Sequence, residues 1–214
     1  MVKQVTFWYV RHGQTLFNVL DRMQGWCDSP LTERGIRQAE EAREYLSEVT
    51  LNAAFTSTSE RCVDTARIVL NGRDHVPLHF EKGLKEMNFG TFEGALIKNH
   101  QAEIDHRRFF TFDWTDVGGE DLPILQERIR TTYRRFYDSC QDGGNVLIVS
   151  HGAIFLHMME ALFGISAQNY KKAVAIEDLP APNGFVGVFT FNGESWDLRT
   201  LRNLTSEKLA ELKA

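Results

Sequence analysis

Two stretches of the chain are apolar without interruption and then stop abruptly. Val5-Thr6-Phe7-Trp8-Tyr9-Val10 is a run of β-branched and aromatic residues, and Asn145-Val146-Leu147-Ile148-Val149-Ser150 is a second. A half-buried strand alternates apolar and polar positions; an unbroken run predicts a strand covered on both faces, as in a parallel sheet flanked by helices. Elsewhere the period lengthens. Ile36, Ala39, Ala42, Leu46 and Val49 recur at helical spacing behind Thr32 and Glu33, which suit a helix start. Gly35 in the first turn of that helix carries a local cost. Ser59 opens a helix to about Leu70, ended by Asn71-Gly72. Leu122, Leu125, Ile129, Tyr133 and Phe136 predict a third helix, with Pro123 harmless in its first turn. Phe155, Met158, Met159 and Leu162 predict a fourth, closed by Gly164.

Shorter elements complete the pattern. Ala53 to Ser57 and Val76 to Glu81 read as strands, and Phe185 to Phe191 with Ser195 to Leu201 as a hairpin around Asn192-Gly193. Ser206 to Leu212 reads as a terminal helix. Lys85 to Gly94 is a glycine-spaced loop, Leu96 to Phe110 is weakly helical, and Thr111 to Gly119 is aromatic, irregular and expected at the surface. Strands alternating with helices argue an α/β fold, a three-layer α/β/α sandwich around a mostly parallel sheet. One domain over residues 1–214 is expected, with a cap-like insertion at about 96–119.

Composition narrows the function more than the fold. The net charge of −5 leaves no global basic field, so no nucleic-acid partner is expected, and an anion-binding cleft must be assembled from individual arginines. No run approaches the roughly 18 apolar residues of a membrane span, and the first residues lack the small-residue cleavage site of a secretory signal. Cys27, Cys62 and Cys140 are odd in number and scattered, which fits a reducing compartment. A cytoplasmic enzyme without a membrane partner is the expectation.

Each long apolar run ends within two residues of a His-Gly pair, His12-Gly13 and His151-Gly152. In a parallel sheet both ends reach the same edge, so the two histidines can face one another across one cleft. Arg11 supplies a fixed cationic fork, and a histidine beside it is biased toward the neutral, nucleophilic form. Gly13 suits a turn or a close backbone approach. Arg61, in the first turn of the helix after the second strand, and Glu86, in the loop after the third, belong to the same edge. A lone histidine at a strand end is more often structural, and a lone arginine more often a surface ion pair. Their convergence on one edge favours chemistry. Permanent guanidinium charges repel a divalent cation and suit a phosphoryl group; no Asp-rich loop or CxxC completes a metal shell, and no GxxxxGK[ST] loop is present.

The order of motifs then matters. Val10-Arg11-His12-Gly13-Gln14-Thr15 with Asn18, Gln24-Gly25 and Pro30-Leu31-Thr32-Glu33-Arg34-Gly35 resembles the opening of the histidine phosphatase superfamily, often called phosphoglycerate-mutase-like. Thr56-Ser57 with Arg61 and Thr65-Ala66, Leu84-Lys85-Glu86-Met87-Asn88-Phe89-Gly90, and Val149-Ser150-His151-Gly152 continue that resemblance in the family's order. It implies the family's fold and a phosphohistidine mechanism. His12 would attack phosphorus in line. Arg11, Arg61, Asn18 and His151 would hold the phosphoryl oxygens, with Gln24 and Gly152 in the same phosphate-binding set, and Glu86 would serve the leaving alcohol and then water as acid and base. Neither metal nor other cofactor is implied.

Met87-Asn88-Phe89-Gly90-Thr91-Phe92-Glu93-Gly94 is similar to the phosphatase branch, whereas Arg107-Arg108 resembles an arginine pair of the mutases and is counted with the substrate contacts. The aromatics from Phe109 to Trp114 read as core plugs or as an apolar lid. The resulting expectation is a metal-independent phosphomonoesterase of the histidine acid phosphatase type, acting on a small phosphorylated metabolite. The alternative is a 2,3-bisphosphoglycerate-dependent phosphoglycerate mutase. The oligomeric state stays open.

Overall fold

A computed structural model describes residues 2–173 and 181–213. Six strands, β1 (Val5–Arg11), β2 (Ala53–Ser57), β3 (Leu78–Glu81), β4 (Asn145–Ser150), β5 (Val186–Phe191) and β6 (Trp196–Leu201), form one sheet in the order β3-β2-β4-β1-β5-β6. β1 to β4 are mutually parallel, and only β5 runs against its neighbours β1 and β6. The described helices are α1 (Leu16–Val19), α2 (Glu33–Tyr45), α3 (Glu60–Val69), α4 (Gln101–His106), α5 (Leu122–Ser139), α6 (Gly152–Phe163), α7 (Ala167–Ala173) and α8 (Ser206–Lys213).

The apolar runs are continuous because both faces of the central strands are covered. Val10, Leu147 and Val149 pack with Ala42 and Leu46 at the end of α2 and with Ala66 and Val69 of α3. Their neighbours Phe7, Tyr9, Val146 and Ile148 point the other way, against Ile129, Tyr133 and Phe136 of α5 and Phe155 and Met159 of α6. Each large side chain so buried contributes roughly 1.5–3 kcal/mol. The result is the expected three-layer sandwich.

Three local readings change. The third strand begins at Leu78 rather than Val76, because the Val76 N–H closes a turn onto the Arg73 carbonyl and Pro77 has no N–H to give a ladder. α1 went unread because it is four residues long and is held by a capping box between Thr15 and Asn18, not by an apolar stripe. The segment expected at the surface is mostly exposed, but it turns one side chain inward: Trp114 is 1% exposed, with ring centroids 4.9 Å from Phe89 and 5.6 Å from Phe92. It follows α4 and a wide π-helical turn over Arg107–Thr111, which ends with Phe112 in the left-handed region at φ 50°.

Candidate active site

The register of β1 on β4 pairs Arg11 with Ser150, so the next residue of each strand leaves the sheet at the same point. His12 and His151 emerge there with ring centroids 5.3 Å apart and planes at 63°. The His12 N–H donates to the Ser150 carbonyl at 3.0 Å, and the buried Tyr9 hydroxyl to the His151 carbonyl at 2.5 Å. Two glycines close the loop behind His12. A Cβ on Gly13 would lie 2.2 Å from the Gly35 carbonyl oxygen, and one on Gly35 would lie 2.1 Å from that of Gln14. The helical cost of Gly35 is thus offset by letting the start of α2 sit directly against the His12 loop.

The protonation of His12 follows from its partner. Nδ1 lies 2.8 Å from the Gly13 carbonyl, which can only accept, so Nδ1 carries the proton and Nε2 the lone pair. Burial, then Arg61, then Arg11 hold the imidazole pKa well below the ordinary value, so the ring is neutral at pH 7. His151 is saturated. Arg61 Nη2 donates to its Nδ1 at 3.0 Å, which leaves the proton on Nε2, 2.8 Å from the Ser57 hydroxyl. As placed, His151 holds Arg61 and is held by Ser57; its N–H would have to swing from Ser57 to meet a phosphoryl oxygen.

Arg61 is fully buried. Nη1 donates to the Cys27 carbonyl and, at 2.8 Å, to Asp28, and Nη2 also donates to the Gly25 carbonyl. Only its Nε–H has no partner, and the same is true of the buried Nε–H of Arg11, whose Nη1 donates to the Ala181 carbonyl. Buried donors are rarely left unpaired. Two of them belong to the guanidinium groups whose charges bear on the neutral His12, an arrangement suited to an anion with several oxygens.

Glu86 sits over the N-terminus of α6. Its Oε1 accepts from the N–H groups of Met87 and Ile154, both at 3.0 Å, and Oε2 from that of Ala153 at 3.1 Å. Asn18 Oδ1 accepts from the Thr15 N–H, which turns its amide nitrogen into the available donor. Gln24 Oε1 accepts from the Thr15 hydroxyl at 2.7 Å.

Arg11, Asn18, Gln24, Glu86 and Gly152 line a cavity of about 760 Å³, while His12, His151 and Arg61 lie outside its lining and are almost fully buried. The arginine pair divides. Arg108 lines the cavity, half-buried, with Nη2 2.8 Å from the Met23 sulfur, and burial lowers its pKa. Arg107 does not line it, contrary to its expected place among substrate contacts. Its guanidinium is taken by Asp116 at 2.6 Å and Glu103 at 3.0 Å, over the rings of Phe92 and Trp114. Sequence reasoning missed Asp28, which fixes Arg61, and named Ser57 only as part of a motif without its hold on His151; Asp28 reads locally as turn chemistry, and nothing links it to an arginine 33 residues away. Among the described residues no group of three or more His, Cys, Asp and Glu could hold a metal ion, and no helix is long and apolar enough to cross a membrane.

Burial ahead of all other causes also lowers the pKa of His151, and that of His157 falls to about 4. Unfolded imidazoles titrate near pH 6.5, so below that pH the unfolded chain binds protons that the folded chain refuses. Stability is therefore fully present above pH 6.5 and lost as the pH falls toward 4, with His157 alone contributing about 3 kcal/mol across that interval. Thermal melts from pH 7.5 to 4.5 should show the melting temperature starting to fall near pH 6.5, above the range where carboxylates protonate. A flat profile to pH 5 would show that these rings take up protons in the folded state.

Sheet order, paired histidines and flanking arginines define a phosphoryl-transfer enzyme built on a phosphoglycerate-mutase-like fold. Residues 7–204 match the histidine phosphatase superfamily (branch 1), and the chain belongs to that family. It is 33% identical over 168 residues to the adenosylcobalamin/alpha-ribazole phosphatase of Salmonella typhimurium, covering 75% of this chain and 80% of that one. It is 31% identical over 172 residues to a 2,3-bisphosphoglycerate-dependent phosphoglycerate mutase of Gloeobacter violaceus, covering 76% and 78%. A phosphoglycerate mutase from Bacillus anthracis superposes with a TM-score of 0.82 at 25% identity, over 100% of this chain and 98% of that one.

Proposed function

We propose that the protein is a metal-independent phosphomonoesterase of the histidine acid phosphatase type that works through a phosphohistidine on His12. The observation that carries this reading is the pair of unpartnered, buried Nε–H groups of Arg11 and Arg61 beside a neutral histidine with a free Nε2 lone pair. The lone pair attacks phosphorus as the bond to the leaving alcohol breaks, and the two guanidinium groups, with Asn18 and the N-terminus of α6 at Gly152, meet the phosphoryl oxygens. Glu86 hands its proton to the departing oxygen and recovers one from the water that then cleaves the N–P bond. Oε1 already receives two N–H groups and Oε2 one, so Oε2 is the oxygen with room for the proton.

Hydrolysis is favoured over mutase action by the cavity wall. Phe17, Met87, Phe89, Ile97, Phe112, Trp114 and Leu156 line most of it, with Arg22, Arg108 and Lys171 among them, and Arg107 is withdrawn into ion pairs. A mutase must hold a small polyanion and keep water from the phosphoenzyme; an apolar wall suits an organic phosphate monoester better. The segment at about 96–119, which supplies Ile97, Arg108, Phe112 and Trp114 to that wall, acts in this reading as a cap on one domain, and three unpaired cysteines fit a reducing, cytoplasmic setting. With 3-phosphoglycerate primed by 2,3-bisphosphoglycerate, inorganic phosphate should appear at least as fast as the 2- and 3-isomers interconvert. Interconversion faster by orders of magnitude would make the protein a mutase.

A further inference from the structure

The cavity is far larger than a phosphoryl group requires, and its volume is that of a drug-sized ligand site. Its far side holds a polar group that the phosphoryl chemistry does not use. His157 lies on α6, is 2% exposed, lines the cavity, and has its Nδ1 buried without a hydrogen-bond partner. On that helix Ala153 and His157 are one turn apart, so the ring sits about 6 Å further along the axis than the site where Glu86 meets the helix start. A buried imidazole nitrogen left unpaired costs free energy.

The second observation is Phe112. Its ring stands edge-on to His157, with centroids 5.0 Å apart and planes at 85°. Phe112 is held in a left-handed backbone conformation at the end of a π-helical turn, and the described non-glycine residues with positive φ are Phe112 and Asp21, both of which line this cavity. Left-handed backbone in a bulky residue persists only where the surroundings impose it, and such residues concentrate at ligand sites. An orphaned imidazole nitrogen and a strained aromatic ring, placed at right angles, make a corner with one flat wall and one hydrogen-bonding group.

We infer that His157 and Phe112 form a leaving-group subsite, one helical turn from the phosphoryl site, for a flat ring bearing a hydrogen-bonding atom. The preferred substrates are then phosphomonoesters whose alcohol ends in a heteroaromatic ring, of which nucleoside 5′-phosphates are the simplest probes. The ring lies against the side of Phe112 that Lys171 does not cover, and the His157 imidazole turns its Nδ1, closed off in the free protein, toward the heteroatom. This deepens the phosphatase reading and rests on it.

The test uses the full chain and three variants, with adenosine 5′-phosphate and glycerol 3-phosphate as ring-bearing and ring-free substrates. The readout is the ratio of their kcat/KM values. His157→Leu should lower that ratio about tenfold, the scale of one neutral hydrogen bond lost inside a binding site. Phe112→Ala should lower it in the same direction, and His157→Asn, which keeps a donor near the Nδ1 position, should restore part of it. Because Nδ1 is idle in the free enzyme, His157→Leu should also raise the melting temperature, whereas a purely structural histidine would lower it on removal. An unchanged ratio in His157→Leu, with the variant folded, overturns the subsite. Absence of any phosphohistidine formation from para-nitrophenyl phosphate in the unmodified protein would instead overturn the phosphatase reading itself.

Discussion

His12→Ala should lower kcat/KM by at least about 10⁴-fold, the scale of losing a nucleophile, and should leave no acid-labile phosphate on the protein after brief exposure to labelled substrate. No neighbour is prepared to take over. His151 is 5.3 Å away, but Arg61 occupies one of its nitrogens and Ser57 the other, so it has no free lone pair. Cys62 Sγ lies 3.4 Å from His151 Nε2, yet burial pushes its thiol pKa far up, and the thiolate that would attack phosphorus is not formed. His12→Asn separates chemistry from folding, because its amide can still donate to the Gly13 carbonyl that anchors the ring. It should fold like the unmodified chain and be as inactive as the alanine variant. Label recovered from either variant, or found on serine or cysteine in the unmodified protein, would remove His12 from the nucleophile's role.

How much of this was legible in the sequence depends on how each residue is placed. His12 and His151 ride on strand ends, and a parallel sheet delivers strand ends to one edge, so two apolar runs sufficed to bring them together. Arg61 was legible because the first turn of a helix after a parallel strand must return to that edge. The direction of β5 was not, since an apolar run is the same read either way and only its pairing with β1 decides it. Arg107 and Arg108 are adjacent and identical, yet one is drawn to Asp116 and the other lines the cavity. The π-helical turn that both of them open leaves no mark in apolar spacing. His157 was hidden for the opposite reason: it lies among the apolar residues of α6 and reads as one more core position.

Glu86→Gln should slow phosphoenzyme formation from alkyl phosphates about 10²- to 10³-fold, and from para-nitrophenyl phosphate by less than about tenfold, when each is followed in a single turnover. Nitrophenolate leaves without help, whereas an alkoxide needs a proton from a positioned acid. The substitution also disturbs structure. The glutamate caps α6 through the N–H groups of Ala153 and Ile154, and a glutamine can face them with only one oxygen, leaving its NH₂ opposite a donor. That loss should cost about 1 kcal/mol of stability and can shift Gly152, which lines the phosphoryl end of the cavity. It would slow both substrates alike. The ratio between the two substrates therefore isolates the proton: a positional defect moves both rates and leaves the ratio, and a lost acid moves the ratio. Glu86→Ala, which cannot place an amide against α6, should give the same ratio with a lower overall rate. Equal damage to both substrates in both variants would mean that Glu86 only caps the helix and that another group, or water, protonates the leaving oxygen.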